Sequence, residues 1–122
     1  MPKSISGNFS HPIYNCCSQI PKGKVSTYKY IAEFLHISPR EVGKILKNNP
    51  FPSSEVPCHR VIATNFFIGG YYGEWGEGEK VATKRKLLSE EGVYFDKKGY
   101  LLRNLRKKVI FNNFCKVKRG MS

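Results

Sequence analysis

Residues 26–47, STYKYIAEFLHISPREVGKILK, decide the fold because they predict two amphipathic helices separated by a short turn. In the first helix, apolar side chains recur at the helical spacing i, i+3, i+4 and i+7, and Ser26-Thr27 can cap its start. The second helix opens with a capping box made by Ser38 and Glu41, and it is predicted to end near Lys47. Helices therefore dominate this part of the chain.

The second helix has one basic face, because Arg40, Lys44 and Lys47 fall at i, i+4 and i+7. Two short helices joined by a tight turn, with the second basic on one side, are typical of a helix-turn-helix that docks on nucleic acid. An ordinary surface helix that carries lysines is the alternative, and this stretch alone leaves both open. Gly43 in the middle of the helix predicts that another backbone approaches it closely.

Residues 56–61, VPCHRV, place a thiol beside an imidazole and a guanidinium. A neighbouring imidazole or cation favours the thiolate, which is the reactive form of cysteine. Adjacency alone is weak evidence, because successive side chains of a strand point to opposite faces. The motif by itself leaves open a buried structural cysteine, a metal ligand, a hydrolase nucleophile and a less common chemistry.

The remaining patterns complete a mainly helical fold. Glycine-rich residues 68–73 predict a loop where the backbone can approach a ligand closely. Together the elements indicate a winged helix-turn-helix-like domain with a short strand pair and a small C-terminal hairpin. The individual predictions are a short helix over residues 8–20, a strand over 61–64, a helix over 79–91 that ends at Gly92, and a hairpin over 93–102.

Composition limits the class of protein. The 122 residues are enough for one hydrophobic core and too few for two domains. The sequence has no apolar run long enough to span a membrane and no start like that of a signal peptide, so we expect an intracellular protein without a membrane partner. Its four cysteines have no zinc-ligand spacing, which predicts a reducing compartment and no structural metal.

Charge is distributed unevenly along the chain. Lys and Arg number 21 against 9 Asp and Glu, for a net charge of +12, which suggests a polyanionic partner. Residues 97–122 hold nine basic and no acidic side chains, so only +3 remains for residues 1–96. A solvated basic tail is the simpler explanation of such a run. Nucleic-acid binding by the rest of the chain must therefore be argued from its motifs.

Taken in order, these motifs resemble those of the O6-alkylguanine-DNA alkyltransferases, or methylated-DNA–protein-cysteine methyltransferases, over about residues 14–95. The resemblance covers the DNA-binding and active-site domain of that family, and its centre is the active-site motif at residues 57–61. Several motifs in order at compatible spacing are far more specific than this one short match. The others are Pro-x-Gly-x-Val-x-x-Tyr at residues 21–28, Arg40 before Val42-Gly43, Asn49-Pro50, Ile68-Gly69-Gly70-Tyr71, and Lys84 followed by Leu87-Leu88 and Glu91.

The resemblance implies a single-turnover DNA repair protein that works as a monomer without a cofactor or a bound metal. Such a protein binds duplex DNA, rotates an O6-alkylguanine out of the base stack and transfers the alkyl group irreversibly to its own cysteine, here Cys58. His59 is expected to accept the thiol proton through a water molecule, and Glu91 to hold the imidazole in the required tautomer. Asn49, which joins the recognition helix to the active-site strand, completes the expected catalytic set.

The resemblance also implies which residues meet the DNA. Tyr28 is expected to crowd the phosphate of the flipped nucleotide and donate to the base, while Arg40 fills the gap in the stack. The recognition helix of this family lies in the minor groove, whose degenerate code suits a lesion found in any sequence. Gly69, Gly70 and Tyr71 are expected to wall the base pocket. Further DNA or substrate contacts are expected from Thr27, Lys44, Lys47, Arg60, Tyr72 and Lys84.

Several stretches depart from the family pattern. Residues 51–56, before the active-site motif, are more polar and one residue longer than the usual buried strand, so a bulge is expected there. Tyr72 stands where many members have a small hydroxyl residue, which predicts a narrower pocket or a changed tolerance for bulky alkyl groups. The loop at residues 73–79 is acidic and is expected to face away from the phosphates.

The predicted organisation is an alkyltransferase DNA-binding and active-site domain over residues 1–96, followed by a basic extension over residues 97–122 that packs partly on the same domain. The expected location is the nucleus in a eukaryotic host and the cytoplasm otherwise. The nearest alternative is an alkyltransferase-like sensor that binds the lesion without transfer, but such proteins usually have another residue, often tryptophan, in place of Cys58. A cysteine hydrolase would need an oxyanion-hole motif that is not evident, and a plain winged-helix module leaves Glu91 and the glycine loop unexplained.

Overall fold

The computed structural model describes residues 11–115, and its fold is mainly helical, as the sequence predicts. Residues 8–10 of the first predicted helix lie outside this described part. The helices are α1 Pro12–Gln19, α2 Tyr28–Leu35, α3 Pro39–Lys47, α4 Glu79–Glu90 and α5 Arg106–Val109. The strands are β1 Ser26–Thr27, β2 Val61–Ile62, β3 Gly70–Tyr71 and β4 Glu74–Trp75, and 3₁₀ turns cover Cys58–Arg60 and Arg103–Leu105.

Side-chain caps set where α2 and α3 begin. The hydroxyl of Thr27 accepts a hydrogen bond from the backbone N–H of Tyr30 at 3.1 Å, and the hydroxyl of Ser38 accepts one from Glu41 at 3.1 Å. Each cap contributes about 1 kcal/mol, because it satisfies a donor that has no partner inside its helix. Both helices therefore begin where predicted, and the short turn between them packs α2 against α3.

Two small sheets tie distant parts of the chain together. β1 and β2 pair in parallel, with Ser26 opposite Val61 and Thr27 opposite Ile62, so the start of α2 lies beside the exit from the cysteine motif. β2 is shorter than the strand predicted over residues 61–64. β3 and β4 form an antiparallel hairpin in the glycine-rich stretch, where the sequence predicts only a loop.

The core consists of two apolar clusters. The first is formed by the buried faces of α1, α2 and α3 and includes Cys58. The second is formed by α4, β2 and the C-terminal segment, and includes Leu88, Leu101 and Val109. The candidate reactive thiol is therefore built into the packed interior and does not lie on a surface loop.

The C-terminal segment packs on the same core as the helices before it. Gly92, with φ of +88°, turns the chain at the end of α4 in a conformation that favours glycine. The predicted hairpin beyond it is reduced to one antiparallel bridge between Phe95 and Leu101. Val109 is also buried, while residues 116–122 of the predicted extension lie outside the described residues.

Two local predictions are wrong. Within residues 11–115, Gly43 does not approach another backbone: a Cβ atom there would lie 4.0 Å from a ring carbon of Tyr28. The segment ahead of the cysteine motif is a turn and not a bulged strand, because the backbone N–H groups of Glu55 and Val56 both donate to the carbonyl of Pro52 at 2.9 Å. A turn that contains proline and serine follows the usual chemistry of those residues.

No helix within residues 11–115 has the length and apolar character needed to cross a lipid bilayer. The described part of the chain includes all four cysteines, and each is a free thiol.

Candidate active site

Cys58 opens a 3₁₀ turn and does not lie on the predicted active-site strand. The turn continues through His59 and Arg60, and β2 starts directly after it. Successive side chains of a 3₁₀ helix point about a third of a turn apart. The side chains of Cys58, His59 and Arg60 therefore point in three different directions and contact different parts of the fold.

The thiol of Cys58 lines a cavity of about 180 Å³. α3 contributes Leu46 and Lys47 to the cavity lining, and the β3–β4 hairpin contributes Tyr71 and Tyr72. Cys58 itself is only 5% exposed. A mostly apolar pocket with a few convergent polar groups is typical of a site for a small organic group.

The sulfur of Cys58 is held by a side-chain amide. Asn49 is buried, and its Nδ2 atom donates to the sulfur at 3.4 Å and to the carbonyl of Phe51 at 3.3 Å. Burial raises the pKa of the Cys58 thiol, while hydrogen bonds from Asn49 and Tyr72 and the charge of Lys84 oppose the rise. The thiol is therefore protonated near neutral pH, and donors stand ready for the thiolate once its proton is removed.

His59 and Glu91 form a buried pair, with Nε2 of the ring 3.1 Å from a carboxylate oxygen. Burial lowers the pKa of His59 against the opposing effect of Glu91, so the ring is neutral near pH 7. A carboxylate can only accept, which assigns the ring proton to Nε2 and leaves a lone pair on Nδ1. Nδ1 is buried and has no hydrogen-bond partner within residues 11–115. Buried unsatisfied acceptors are rare, and this one keeps a lone pair that can accept a proton.

Arg60 holds Glu91 in its charged form. Its Nε and Nη2 atoms donate to the two carboxylate oxygens at 3.0 and 2.8 Å, and Nη1 donates to the carbonyl of Ile20 at 2.8 Å. Burial would raise the pKa of Glu91, but hydrogen bonds from Arg60 and His59 outweigh it and lower the pKa to about 2. The structure thus differs from the predicted DNA contact of Arg60, because the guanidinium is used within the fold.

Lys84 is a second residue whose predicted DNA contact the structure contradicts. Its side chain is fully buried, and Nζ donates to the carbonyls of Val61 at 2.7 Å and Gly70 at 2.9 Å. Burial lowers the pKa of Lys84 to about 7. This lysine joins β2 to β3.

Thr27 is also buried, and the structure likewise contradicts its predicted DNA contact. It is 3% exposed, and its hydroxyl is used as the cap of α2.

The basic face predicted on α3 is present. Arg40, Lys44 and Lys47 are all exposed, and no hydrogen bond or ion pair involving their charged ends is seen within residues 11–115. Lys47 also lines the cavity, together with Gly43 of the same helix. One helix therefore supplies both an exposed positive surface and part of the cavity lining.

The glycine loop lies against Tyr28, and Tyr28, Gly70 and Tyr71 line the cavity while Gly69 is not in its lining. Gly69 has φ of +80°, and a Cβ atom there would lie 3.4 Å from the backbone nitrogen of Ala63 and 3.5 Å from the hydroxyl of Tyr28. Only glycine suits such a conformation in so close a space. Burial raises the pKa of Tyr28 to about 12, against a hydrogen bond with the backbone of Gly70 that lowers it, so the phenol is neutral near pH 7.

The sequence reading missed the role of the acidic loop. Trp75 is 60% exposed, lines the cavity and stacks on Tyr28, with ring centroids 6.3 Å apart. The carboxylate of Glu74 accepts a hydrogen bond from the backbone N–H of Lys80 at 2.6 Å and caps α4, whose N-cap Gly78 has no side chain to do so. An aromatic residue between glycines next to the predicted pocket was the available signal for Trp75.

Within the part of the chain that the structure describes, no three His, Cys, Asp or Glu side chains are grouped so that they could hold a metal ion.

Sequence comparisons identify a matching family and several relatives. Residues 8–93 match the family described as "6-O-methylguanine DNA methyltransferase, DNA binding domain". A methylated-DNA–protein-cysteine methyltransferase of Pyrobaculum aerophilum is 48% identical over 74 residues, which are 61% of this chain and 45% of that protein. One of the same name from Archaeoglobus fulgidus is 38% identical over 89 residues, 73% of this chain and 59% of that protein. The chain spans about half the length of these curated relatives.

Solved structures show the same fold. The O6-methylguanine-DNA methyltransferase of Pyrococcus kodakaraensis KOD1 superposes with a TM-score of 0.57 at 38% identity, over 67% of this chain and 44% of that one. S. pombe Atl1, solved in complex with damaged DNA containing O6-carboxymethylguanine, superposes with a TM-score of 0.61 at 34% identity, over 80% of this chain and 89% of that one.

Proposed function

This chain belongs to the 6-O-methylguanine DNA methyltransferase family through its DNA-binding domain, and we propose that it is a DNA repair protein that transfers the alkyl group of O6-alkylguanine in duplex DNA to Cys58. The observation that carries the proposal is the surroundings of the thiol. A buried cysteine at a cavity has an amide donor on its sulfur, and the next residue is a neutral histidine whose buried Nδ1 lone pair has no partner within residues 11–115.

In the proposed reaction His59 takes the proton of the Cys58 thiol on Nδ1, through a water molecule in the arrangement that the family resemblance implies. The thiolate then attacks the alkyl carbon, so that an S–C bond forms while the C–O6 bond breaks. The electron pair of the broken bond goes to the guanine, which regains a proton from the protonated ring of His59. The thioether product has no group to displace it, so each chain acts once.

Glu91 and Arg60 support this proton transfer. Protonation of His59 produces an imidazolium whose Nε2–H already points at a charged carboxylate. Arg60 keeps that carboxylate charged and fixed, because it occupies both oxygens. The pair therefore stabilises the protonated ring and holds its tautomer, as the third group does in nucleophile–base–orienter sites.

We further propose that α2 and α3 form the helix-turn-helix of a winged domain that binds one duplex as a monomer. α3 would lie on the DNA, with Lys44 and Lys47 near phosphates and Arg40 in the gap left by the extruded base. This placement is supported by the dual role of α3, which carries the exposed basic face and also lines the cavity of Cys58. Unstacking a base costs a few kcal/mol, and less for a damaged base, which favours the lesion. The protein would act where the genome is, in the nucleus of a eukaryote or in the cytoplasm otherwise.

A lesion sensor without transfer is the second candidate. It is favoured by the similarity to S. pombe Atl1, whose chain is matched over most of its length. The presence of Cys58, with donors arranged around its sulfur, favours transfer instead.

A titration separates the two candidates. We expect excess duplex containing O6-methylguanine to be repaired only to one lesion per chain, as measured by restored guanine. Cys58→Ser should bind the lesion without repair, and Cys115→Ser, at an exposed cysteine, should repair normally. Repair beyond one lesion per chain, or repair by Cys58→Ser, would contradict the proposal. Tight binding by the unaltered protein with no repair would establish the sensor.

A further inference from the structure

Tyr72 is held against the reactive thiol in an uncommon backbone conformation. Its φ is +48°, in the left-handed region that residues other than glycine rarely adopt. Two contacts fix its side chain: the hydroxyl donates to the carbonyl of Phe51 at 3.3 Å, and the ring packs edge-to-face on Tyr71 with centroids 4.6 Å apart. Non-glycine residues in this region are often found at functional sites.

The hydroxyl of Tyr72 shares its surroundings with the sulfur. The carbonyl of Phe51 accepts from both Tyr72 and Asn49. The amide of Asn49 also donates to the sulfur of Cys58, and both side chains oppose the rise in the pKa of the thiol. The single phenol proton can therefore pass from the Phe51 carbonyl to the thiolate by rotation of the hydroxyl. The Tyr72 ring is thus anchored beside the atom that must receive the alkyl group.

From this placement we infer that Tyr72 is a specificity-determining residue, whose ring limits the alkyl groups that reach Cys58 to small ones such as methyl and excludes groups that carry an aromatic ring. The inference rests on the proposed function for its DNA substrate, but its steric part depends only on the cavity. That cavity is about 180 Å³ with Tyr72 in its lining. An aromatic ring on the alkyl group must share this cavity with the guanine to which it is attached. The packing of Tyr72 on Tyr71 resists movement of the Tyr72 ring out of the way.

The first test uses small reagents that alkylate thiols, and these react with Cys58 in the absence of DNA. The rates at which iodoacetamide and its N-benzyl derivative modify Cys58 are measured by mass spectrometry of the cysteine-containing peptide. We expect the ratio of small to bulky reagent to fall at least tenfold in Tyr72→Ser. Tyr72→Phe, which keeps the ring, should retain the ratio while reacting more slowly with both reagents. Tyr94→Ser, at an exposed tyrosine, is the matched control and should leave both rates unchanged.

The second test compares duplexes that contain O6-methylguanine and O6-benzylguanine. We expect the unaltered protein to prefer methyl and Tyr72→Ser to lose at least tenfold of that preference. The inference would be overturned if the ratio of the small to the bulky rate were the same in the unaltered protein and in Tyr72→Ser, for the iodoacetamide reagents or for the two duplexes. If neither duplex is repaired while the reagent ratio still depends on Tyr72, the proposed function fails and the steric role of Tyr72 stands. Tyr72→Gly, which suits a positive φ, replaces Tyr72→Ser if the serine variant melts early.

Discussion

The side-chain amide of Asn49 donates to the sulfur of Cys58 at 3.4 Å, from a position just beyond the end of α3. The same side chain accepts from the backbone N–H of Phe51 at 2.9 Å. One residue therefore fixes the sulfur relative to the helix that carries the basic face. A donor to the thiolate is already in place, which supports the proposed role of this buried thiol as a nucleophile.

The substitution Asn49→Asp tests this contact. It keeps an acceptor for the Phe51 amide but replaces the donor at the sulfur with a carboxylate. We expect the pKa of Cys58 to rise further above its ordinary value, and alkylation by iodoacetamide near neutral pH to slow about tenfold or more. A hydrogen bond to a charged group contributes about 1.5–3 kcal/mol, which is a factor of this size.

Asn48→Asp is the matched control for Asn49, because Asn48 is exposed and donates to the carbonyl of Lys44. It should alkylate at the rate of the unaltered protein. Equal alkylation rates in Asn49→Asp and Asn48→Asp would show that the amide does not assist the thiolate.

The substitution Glu91→Gln tests the carboxylate between His59 and Arg60. We expect it to lower the free energy of unfolding by about 2 kcal/mol at neutral pH, because it leaves a half-buried guanidinium without its charge partner. Methyl transfer should slow about tenfold or more, because the protonated ring of His59 loses its counter-charge. Urea unfolding and single-turnover repair measure the two effects, and Glu90→Gln, at an exposed position, should change neither.

The effect of Glu91 on stability should depend on pH in a defined direction. The pKa of Glu91 in the folded protein is about 2 against an ordinary value of 4.5, so the unfolded chain takes up the proton first as the pH falls. The stabilisation is complete above about pH 4.5 and is lost between there and pH 2. The difference in unfolding free energy between the unaltered protein and Glu91→Gln should therefore shrink on acidification. A constant difference down to pH 2 would mean that the carboxylate is not held in its charged form.

The basic face of α3 leads to a prediction about salt. If Lys44 meets a phosphate, Lys44→Ala should reduce the slope of log affinity for duplex DNA against log salt by ~0.9. Lys86→Ala removes an exposed lysine from α4 and should leave the slope closer to that of the unaltered protein. Slopes that do not distinguish the two variants would argue against docking through α3.

The sequence predicted what depends on local patterns. The cap at Ser38 and the helical spacing after it were enough to place α3, because helix starts are set by neighbouring residues. The pairing of β1 with β2 could not be read in the same way. It joins residues 35 positions apart, such as Ser26 and Val61, and each strand is too short to show a period.

Burial of charged groups is the other feature that the sequence did not reveal. Lys84 and Arg60 were predicted to meet DNA because they are cationic and belong to the motifs. The structure instead buries Lys84 between two carbonyl groups and engages Arg60 with Glu91. A sequence shows the charge of a side chain but not the acceptors that the fold places around it. The sequence also did not reveal the hairpin turn at Tyr72, because the positive φ there falls on a residue other than glycine.

The central claim is that Cys58 receives the alkyl group, and the mass of its peptide tests that claim most directly. The protein is incubated with a duplex containing O6-methylguanine, digested and examined by mass spectrometry. The account predicts a gain of one methylene on the peptide that contains Cys58, no such gain in Cys58→Ala, and none on the peptides of Cys16, Cys17 or Cys115. Guanine restored without a methylene on Cys58, or lesion binding with every cysteine unmodified, would contradict it.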